Sequence, residues 1–441
     1  MTEMDYNRLH QTLIALHRPA YWRWWQVAAV VIVLATTAGL PGLWAAGHAV
    51  VGLALAAGYL LFVALDGALL AALPRWHLSF GPVQPPLLAL AVVRWLASLA
   101  AALVSLWLPP AWPLAAMGGV HLLLSGLAVY GCVVEPFRLT LTRLEVSNPK
   151  LSGLPRPLRL LHLSDLHMER PTPRDERVLA LAAELAPDLI LLTGDYLNLS
   201  YTEDDAAIAH ARRWLSRLHA PLGVYAVLGT PEVDVRRRAD DVFADTGVRL
   251  LGNEIVGVAV GGQQIALVGV TCERDLSVDR CGLEAALRQV PQGAFSILLY
   301  HMPDLMPEAA ARGIDLYLTG HTHGGQWRLP GYGAVITSSA FGKRYEMGLY
   351  VEGQTHLYVS RGLGLEGLAA PRARFLCPPE AVLVTLKPES CLPPEGSLVS
   401  KRAAEIEQMR EESGLSVDDL LGGLDDIRQQ LYAETYRGGR M

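Results

Sequence analysis

The chain has 441 residues, of which 51% are hydrophobic, and it carries a formal net charge of -6 at pH 7. Its length exceeds that of one ordinary domain, and its mean hydropathy of +0.26 is higher than a purely soluble protein would show. Because the charge is slightly acidic and the sequence contains no basic run, a nucleic-acid-binding surface is not expected. The five cysteines show no CxxC spacing, which argues against a disulfide framework or a zinc knuckle.

The first part of the chain is almost free of charge. Between residues 27 and 134 the formally charged residues are Asp66, Arg75 and Arg94. Four apolar stretches in this region are each close to the roughly 20 residues that a helix needs to cross a bilayer. They run from Val27 to Ala45, Ala49 to Leu73, Leu87 to Leu108 and Pro113 to Val134. We therefore predict a cytoplasmic N-terminal segment over residues 1–24 and a transmembrane region of four helices over residues 25–136.

Basic residues flank the predicted spans on one side only. They are Arg8, Arg18 and Arg23 before the first span, Arg75 between the second and third, and Arg138, Arg143 and Lys150 after the fourth. The other two connections contain neither Lys nor Arg. Under the positive-inside rule, both termini and the soluble part then lie on the cytoplasmic side of a bacterial-type inner (plasma) membrane.

Asp66 and Arg94 fall inside predicted spans two and three, at a similar depth from the cytoplasmic side. In an antiparallel helix pair they would form an ion pair within the membrane. Charged residues inside spans are costly, so their presence calls for an explanation. Two interpretations stay open: the pair lines a polar groove for a lipid headgroup, or it holds two helices together, and we favour the second.

Residues 137–156 are predicted as a linker, and residues 157–387 as an α/β domain. Short apolar runs typical of buried strands alternate with helical stretches at its start, and hairpins follow towards its end. The predicted strands are Leu158 to Leu163, Leu189 to Leu192, Val224 to Leu228, Ile265 to Val270, Ile297 to Tyr300 and Leu316 to Leu318. This order predicts an α/β sandwich of two packed sheets flanked by helices, preceded by the transmembrane region.

Five short motifs each follow a predicted strand. They are Ser164-Asp165-Leu166-His167, Gly194-Asp195, Gly229-Thr230-Pro231-Glu232, Tyr300-His301 and Gly320-His321-Thr322-His323. In an α/β sheet, sites form at the carboxyl ends of strands. Aspartate and histidine side chains that meet there offer the nitrogen and oxygen ligands that suit Mn, Fe, Zn or Ni. The motifs therefore predict a split metal site whose pair of ions acts on a phosphoryl group.

Together the motifs resemble the pattern of the calcineurin-like metallophosphoesterase superfamily: DxH, GD, GNH followed by an acid, a lone His, and GHxH. The segments Gly320 to Pro330 and Tyr358 to Gly364, with Cys377-Pro378-Pro379-Glu380, further resemble its membrane-associated bacterial branch, which includes phosphodiesterases of lipid-linked sugar nucleotides. The resemblance covers residues 157–387. It implies a metallophosphoesterase-like two-sheet sandwich and hydrolysis of phosphoric ester or anhydride bonds.

Position by position, the resemblance implies two divalent metal ions, with Mn, Zn, Fe and Ni as candidates. The implied ligands of the first ion are Asp165, His167, Asp195 and His323. Those of the second ion are Asp195, which bridges the two, His301 and His321. The predicted catalytic residues are Asp195, His323 and Arg361, the arginine as a group that stabilises charge on the phosphate.

The third motif departs from the family pattern. Thr230 and Pro231 stand where the family has the Asn and His of GNH, and Glu232 follows them. Threonine is a weak neutral ligand, so the second metal site is expected to be weak or empty unless Glu232 or Asp234 takes part. Proline cannot transfer a proton, so the general-acid contribution of about 10²- to 10⁴-fold is expected to be missing. A phosphoanhydride, which has a good leaving group, would suffer least.

The sequence thus predicts a membrane-anchored metallophosphoesterase that hydrolyses a phosphodiester or pyrophosphate bond of a lipid-linked substrate by attack of metal-bound hydroxide. Its expected partners are this phosphate-containing substrate and membrane lipid, and not nucleic acid. The alternative is a non-catalytic or mononuclear metal-binding scaffold, because the GNH motif is replaced. A transporter regulated by the soluble part is a weaker possibility, since four short-looped helices define no pathway.

Residues 388–441 are predicted as a polar, partly helical C-terminal tail. An apolar stripe in this tail consists of Leu420, Leu421, Leu424, Ile427 and Leu431. Gly422 and Gly423 interrupt it and weaken the helix. Docking of the stripe and loose attachment of the tail both stay open.

Overall fold

The computed structural model describes residues 17–45, 49–104, 107–109, 111–366, 368 and 372–389. The chain divides into two units, Met1–Pro388 and Glu389–Met441, and the fold below is that of the first. The predicted C-terminal tail lies outside the described residues, apart from positions 388 and 389. Residues 1–16 of the predicted N-terminal segment lie outside them as well.

Four apolar helices come first in the described chain. They are α1 Trp24–Ala45, α2 Ala49–Ala72, α3 Gln84–Val104 and α4 Ala111–Val129, and α4 continues through a π-helical turn, Tyr130–Val134, and a 3₁₀ turn, Glu135–Phe137. Within the described residues, three helical stretches are long and apolar enough to cross a membrane: Val50–Ala72, Gln84–Val104 and Leu114–Phe137. A shorter apolar stretch, Trp24–Leu40, lies in α1. Three of the four predicted spans are therefore confirmed as candidates, and the first stays a prediction.

The helix bundle places its polar groups inside and large apolar side chains outside. Arg94 is fully buried, and its Nε and Nη2 atoms donate to the two carboxylate oxygens of Asp66 over 2.6 and 2.7 Å. The guanidinium also donates to the carbonyl of His121 and the hydroxyl of Ser125, over 2.9 and 2.8 Å. Asp66 is only 2% exposed, so this network is closed rather than open to a headgroup. The geometry favours the structural pair over the lipid groove.

The rest of the described chain forms two six-stranded sheets and a two-stranded ribbon. The first sheet contains β1 Thr140–Asn148, β2 Leu158–Leu163, β3 Leu189–Thr193, β4 Val224–Val227, β5 Val248–Leu250 and β14 Glu380–Pro388, in the order β1-β14-β2-β3-β4-β5. The second contains β6 Glu254–Val260, β7 Gln263–Gly269, β8 Phe295–Leu299, β9 Leu316–Thr319, β12 Gly348–Glu352 and β13 Thr355–Val359, in the order β12-β13-β9-β8-β7-β6. The ribbon pairs β10 Arg328–Leu329 with β11 Gly333–Ala334.

Three apolar layers hold these sheets together. Between the sheets, Leu160 and Leu191 of the first sheet belong to one cluster with Leu267 and Ile297 of the second. The helices on the two outer faces are α5 Pro173–Leu185, α6 Asp205–Leu215, α7 Arg236–Phe243, α8 Leu276–Leu287 and α9 Met306–Ala311. Strands buried on both faces read as continuous Leu, Ile and Val runs, which is why they were predictable. The α/β two-sheet sandwich flanked by helices is confirmed.

The segment predicted as a linker, residues 137–156, contains a strand. β1 lies parallel to β14 along nine residue pairs, from Thr140↔Glu380 to Asn148↔Pro388. Its side chains are mostly polar or half-buried because it forms the edge of the sheet, so it lacks the apolar run of a central strand. A separating linker over this segment is therefore wrong, and the remaining domain boundaries stay predictions.

Strand direction explains how the motifs meet. In the first sheet β2, β3 and β4 are parallel, and in the second β8 and β9 are parallel. The five motifs follow the carboxyl ends of these five strands. Packing of the two sheets face to face then brings the motif loops of both sheets to one edge of the sandwich.

Candidate metal centre

The predicted ligands share an unusual backbone conformation. Asp165, His167, Asp195, His321 and His323 all have φ between 43° and 67°, which side-chain-bearing residues seldom adopt. Such strain costs of order 1–3 kcal/mol per residue and clusters at functional sites. The turns after the strands thus hold these side chains at a cost in stability.

Two glycines allow the loops to approach closely. A Cβ on Gly229 would lie 2.1 Å from Asp195 Oδ1, and one on Gly320 would lie 2.1 Å from Asp165 Oδ2. Any side chain at either position would collide with a carboxylate oxygen. The glycines of the third and fifth motifs therefore serve the approach of the neighbouring loops.

The first group of predicted ligands is compact and buried. Asp165, His167 and His323 each offer a donor atom, and these atoms all lie within 4.8 Å of one another. The two imidazole Nε2 atoms are 2.9 Å apart, and His323 Nε2 is 3.4 Å from Asp165 Oδ1. Asp165 Oδ2 is buried and has no hydrogen-bond partner in the described part of the chain.

The second group lies beside the first and shares an aspartate with it. Asp195 Oδ2 is 3.3 Å from His301 Nε2 and 3.7 Å from His167 Nε2. His301 Nδ1 lies 2.6 Å from the carbonyl of Thr193, which fixes its Nε2 towards the site. His321 Nε2 lies 3.1 Å from the carbonyl of Ser338, and its Nδ1 is 3.2 Å from His301 Nε2. The arrangement places Asp195 where a bridging ligand would stand.

Neighbouring carboxylates control the charge of these imidazoles. Burial lowers the pKa of His167, but the charge of Glu366 and of Asp195 outweighs it and raises the pKa to about 9. Against the same burial, Asp195 raises the pKa of His301 to about 10. Burial and the charge of His301 lower the pKa of His321 to about 3. The carboxylates thus favour positive charge at the site, and divalent cations would supply it.

The donor groups fit a pair of divalent ions. Ligands of one ion bound at about 2.0–2.2 Å lie roughly 3–4 Å apart. The separations given above within the two groups run from 2.9 to 3.4 Å. The buried Asp165 oxygen without a partner is a further donor of the kind that metal ions use. Metal binding by the six predicted ligands stays a prediction.

The altered third motif takes no ligand position. The amide and hydroxyl of Thr230 both donate to Asp195 Oδ1, over 2.8 and 2.9 Å, so they orient the bridging carboxylate. Glu232 lies in the turn that follows Thr230 and forms an ion pair of 3.1 Å with Arg274. The structure therefore brings neither Pro231 nor Glu232 into the donor groups.

Asp234 stabilises the same loop through hydrogen bonds to the backbone. Its carboxylate accepts from the backbone amides of Asp195, Tyr196 and Gly229 over 2.7 to 2.8 Å. Burial and the charge of Asp195 raise its pKa to about 7. Asp234 thus holds the second and third motif loops together and does not replace the missing ligand.

The guanidinium of Arg361 is held by protein side chains of the first sheet. Its Nε donates to Glu380 over 2.7 Å, and its Nη2 donates to Thr140 Oγ1 over 3.0 Å. The guanidinium therefore links the loop after β13 to the start of β1 and β14. A catalytic role for Arg361 stays a prediction.

Two residues of the site were missed in the sequence. Glu366 Oε2 lies 3.0 Å from His167 Nε2 and 3.6 Å from His323 Nε2, and with His167 and Asp195 it forms a third possible metal-binding group. Arg374 Nη2 lies 3.3 Å from His323 Nδ1 and donates to the carbonyl of Gly364. Neither residue follows a strand or belongs to a motif, so the sequence offered no signal for them.

Comparison with known proteins agrees with this geometry. Residues 158–325 match the profile of the calcineurin-like phosphoesterase family. The metallophosphoesterase YkuE of Bacillus subtilis is 31% identical over 265 residues, which cover 58% of this chain and 89% of YkuE. The phosphodiesterase YaeI of Escherichia coli is 32% identical over 238 residues, covering 52% and 82% of the two chains.

A third relative has a named substrate. The UDP-2,3-diacylglucosamine pyrophosphatase LpxG of Chlamydia trachomatis is 27% identical over 303 residues, which cover 57% of this chain and 90% of LpxG. Members of the family use divalent metal ions. The chain belongs to the calcineurin-like phosphoesterase family and is a hydrolase that acts on phosphoester bonds.

Proposed function

We propose that the protein is a membrane-anchored, metal-dependent hydrolase that cleaves a phosphodiester or pyrophosphate bond in a lipid-linked substrate. The observation that carries this proposal is Asp195, whose Oδ2 lies between the two donor groups in a chain of a phosphoesterase family. When bound, divalent ions supply Lewis acidity and lower the pKa of water. Asp165, His167 and His323 would hold one ion, and His301 and His321 the other.

The chain's own residues prepare the site in several ways. Thr230 orients Asp195 through two hydrogen bonds, and Asp234 fixes the backbone that carries it. Pro231 supplies no proton to a leaving group. A substrate whose leaving group is already stable as an anion, such as a phosphate released from an anhydride, therefore suits this site best.

The contact between the donor groups and the helix bundle supports a lipid-linked substrate. The amide of Arg374 donates to the carbonyl of Gly131, at the end of the fourth membrane helix, over 2.9 Å. The same residue's guanidinium lies 3.3 Å from His323. One residue thus connects the end of a candidate span to a predicted metal ligand, so a bond cleaved here would lie close to the membrane surface.

The connection between α2 and α3 is also attached to the catalytic part. The amide of Phe80 donates to Glu169 over 2.7 Å, and the hydroxyl of Tyr201 donates to the carbonyl of Phe80 over 2.5 Å. Glu169 follows His167 by two residues and also pairs with Arg372. This attachment keeps the donor groups beside the bundle.

The test of the catalytic proposal uses the purified full chain in detergent with Mn or Zn. It should hydrolyse an aryl phosphodiester, and Asp195→Asn should abolish the activity. Asp205→Asn is the matched control, because it makes the same chemical change at an exposed surface ion pair with Arg238. Absence of activity with every metal tested would overturn the proposal.

The replaced GNH residues favour a second candidate, a relative that is either a mononuclear metal-binding protein or a non-catalytic scaffold. Metal content per purified chain separates the alternatives. Two ions support the dinuclear hydrolase, one supports the mononuclear protein, and none supports the scaffold. Thr230 bears on these alternatives because its hydroxyl donates to Asp195 and takes no ligand position for the second ion.

The basic residues before the first span and after the fourth support four spans with the catalytic part in the cytoplasm of a bacterial cell. Among the described cysteines, Cys281 is exposed, whereas Cys132, Cys272 and Cys377 are buried. A membrane-impermeant maleimide should therefore label the wild-type chain in inverted inner-membrane vesicles and not in right-side-out vesicles. Cys281→Ser is the control for labelling at other thiols. The opposite pattern of Cys281-dependent labelling would reverse the orientation.

A further inference from the structure

A cavity lies beside the first donor group. The empty space between its lining atoms is about 280 Å³, part of which is open to solvent. Its wall includes His167 and Leu365 on the side of the donor groups, Leu78 and Ser79 from the connection between α2 and α3, and Arg174 at the start of α5. The cavity therefore lies between His167 of the predicted metal centre and the connection between α2 and α3.

Arg174 is a buried cation with little compensation. Its side chain is 7% exposed, and its Nη1 atom is buried with no hydrogen-bond partner among the described residues. The nearest acid is Asp175, whose Oδ1 lies 3.9 Å from Arg174 Nε, and the ring of Phe137 lies 5.9 Å from its guanidinium carbon. A buried charge without close partners is costly, so the position calls for an anion.

The other charged groups of the cavity wall already have partners. Arg170 forms two hydrogen bonds of 2.9 Å with Asp204. Glu169 accepts from the amide of Phe80 and pairs with Arg372. Among the described residues of this wall, Arg174 Nη1 is therefore an unpartnered donor, together with the unpartnered His167 Nδ1 and Thr172 Oγ1.

The carboxylate next to Arg174 is occupied as well. Asp175 Oδ2 accepts from the amide of Thr172 over 2.8 Å and lies 3.1 Å from His210 Nε2. Thr172 is the N-cap of α5, and it also lines the cavity. The N-terminus of α5, which the Asp175 carboxylate caps, thus faces the same cavity as Arg174.

We propose that Arg174 and the N-terminus of α5 form a second phosphate-binding subsite. It receives the phosphate group of a diphosphate substrate that is not attacked, while the attacked phosphate lies at the donor groups. This inference rests on the proposed function and narrows it to substrates that carry two adjacent phosphates. It also gives the chain a means of holding a diphosphate without the histidine that Pro231 replaces.

The test compares two substrates in lipid-free detergent with Mn: an aryl phosphodiester with one phosphate and a diester of diphosphate. Arg174→Met should raise KM for the diphosphate by about 10- to 100-fold, since the hydrogen bonds it removes involve a charged donor. KM for the aryl phosphodiester should stay within about twofold. Arg174→Lys, which keeps the charge, should recover part of the loss for the diphosphate.

Thermal unfolding without substrate provides the second readout. Arg174→Met removes a buried charge whose ion pair with Asp175 is long, at 3.9 Å, so its unfolding temperature should stay close to that of the wild type. A lower unfolding temperature together with equal losses on both substrates would show a structural arginine and overturn the subsite. An effect of Arg174→Met that appears only after phospholipid is added would assign the position to a lipid headgroup and overturn it too. If the wild type hydrolyses neither substrate, the proposed function fails, whereas a selective loss on the diphosphate concerns the subsite alone.

Discussion

Removing one partner of the Asp66–Arg94 pair should destabilise the helix bundle strongly. Arg94→Met eliminates the two hydrogen bonds to Asp66, of 2.6 and 2.7 Å, and those to His121 and Ser125. It leaves the carboxylate of Asp66 at 2% exposure without its cation. Breaking a buried pair in this way costs about 3–5 kcal/mol.

The double variant decides whether charge is the cause. Asp66→Leu combined with Arg94→Met removes both charges, and such replacements are often neutral or stabilising. The double variant should therefore lie close to the wild type in free energy of unfolding. Ordinary hydrogen bonds between membrane helices average about 0.6 kcal/mol, so a single-variant cost of several kcal/mol would identify the unpaired charge.

The measurement is reversible unfolding in mixed micelles of lipid, detergent and dodecyl sulfate, followed by tryptophan fluorescence. The wild type, both single variants and the double variant complete the cycle. If the two single-variant losses simply add in the double variant, the closed-pair reasoning is refuted. Unchanged stability of Arg94→Met together with lost hydrolysis of a lipid substrate would favour the headgroup groove instead.

Three further predictions concern the catalytic part. Thr230→Asn should tighten binding of the second metal ion by about tenfold or more in calorimetric titration, since even outer partners of a metal change affinity on this scale. Glu366→Gln should weaken the first metal ion by a similar factor, because it removes a carboxylate 3.0 Å from His167 Nε2. Burial raises the pKa of Asp304 to about 6, so the folded protein retains a proton that the unfolded chain has released. Stability from this proton is complete below the ordinary carboxyl pKa and is lost as pH rises through about 6; Asp304→Asn should flatten this slope in unfolding measurements.

Their controls follow from the same contacts. Thr230→Ser keeps a hydroxyl for Asp195 and should leave the metal affinity near that of the wild type. No change in affinity for Glu366→Gln would show that Glu366 only accepts hydrogen bonds from the histidines. An unchanged pH slope in Asp304→Asn would contradict the effect of burial on that carboxyl.

The central strands were predictable from the sequence because both of their faces are buried, so that they read as continuous apolar runs. The apolar runs of β2, β3, β8 and β9 fixed where the strands end, and hence where the motif loops meet. The edge strand β1 carries no such run, because only Leu144 and Val146 of its nine residues are buried. The helix α7 was not predicted either, because it is short and strongly polar and buries only Ala239 and Val242.

Residues that reach the site from irregular loops were not predictable. Glu366 lies seven residues beyond β13, and Arg374 lies six residues before β14. Their proximity to His167 and His323 depends on the path of the chain between these strands, which no local period describes. The role of Asp234 was likewise hidden, because its partners are backbone amides of two different loops.

The strand β1 determines where the catalytic part can be separated from the helix bundle without damage to its first sheet. It begins three residues after the 3₁₀ turn that ends the fourth apolar helix, and it covers the full length of β14. Glu135 in that turn accepts from the amide of Cys377 over 2.8 Å. Excision of a soluble enzyme that starts at residue 157 would strip this edge from β14 and expose its unpaired amides and carbonyls to other chains. Proteolytic release by a cut after β1 would therefore yield an aggregating fragment rather than a free hydrolase.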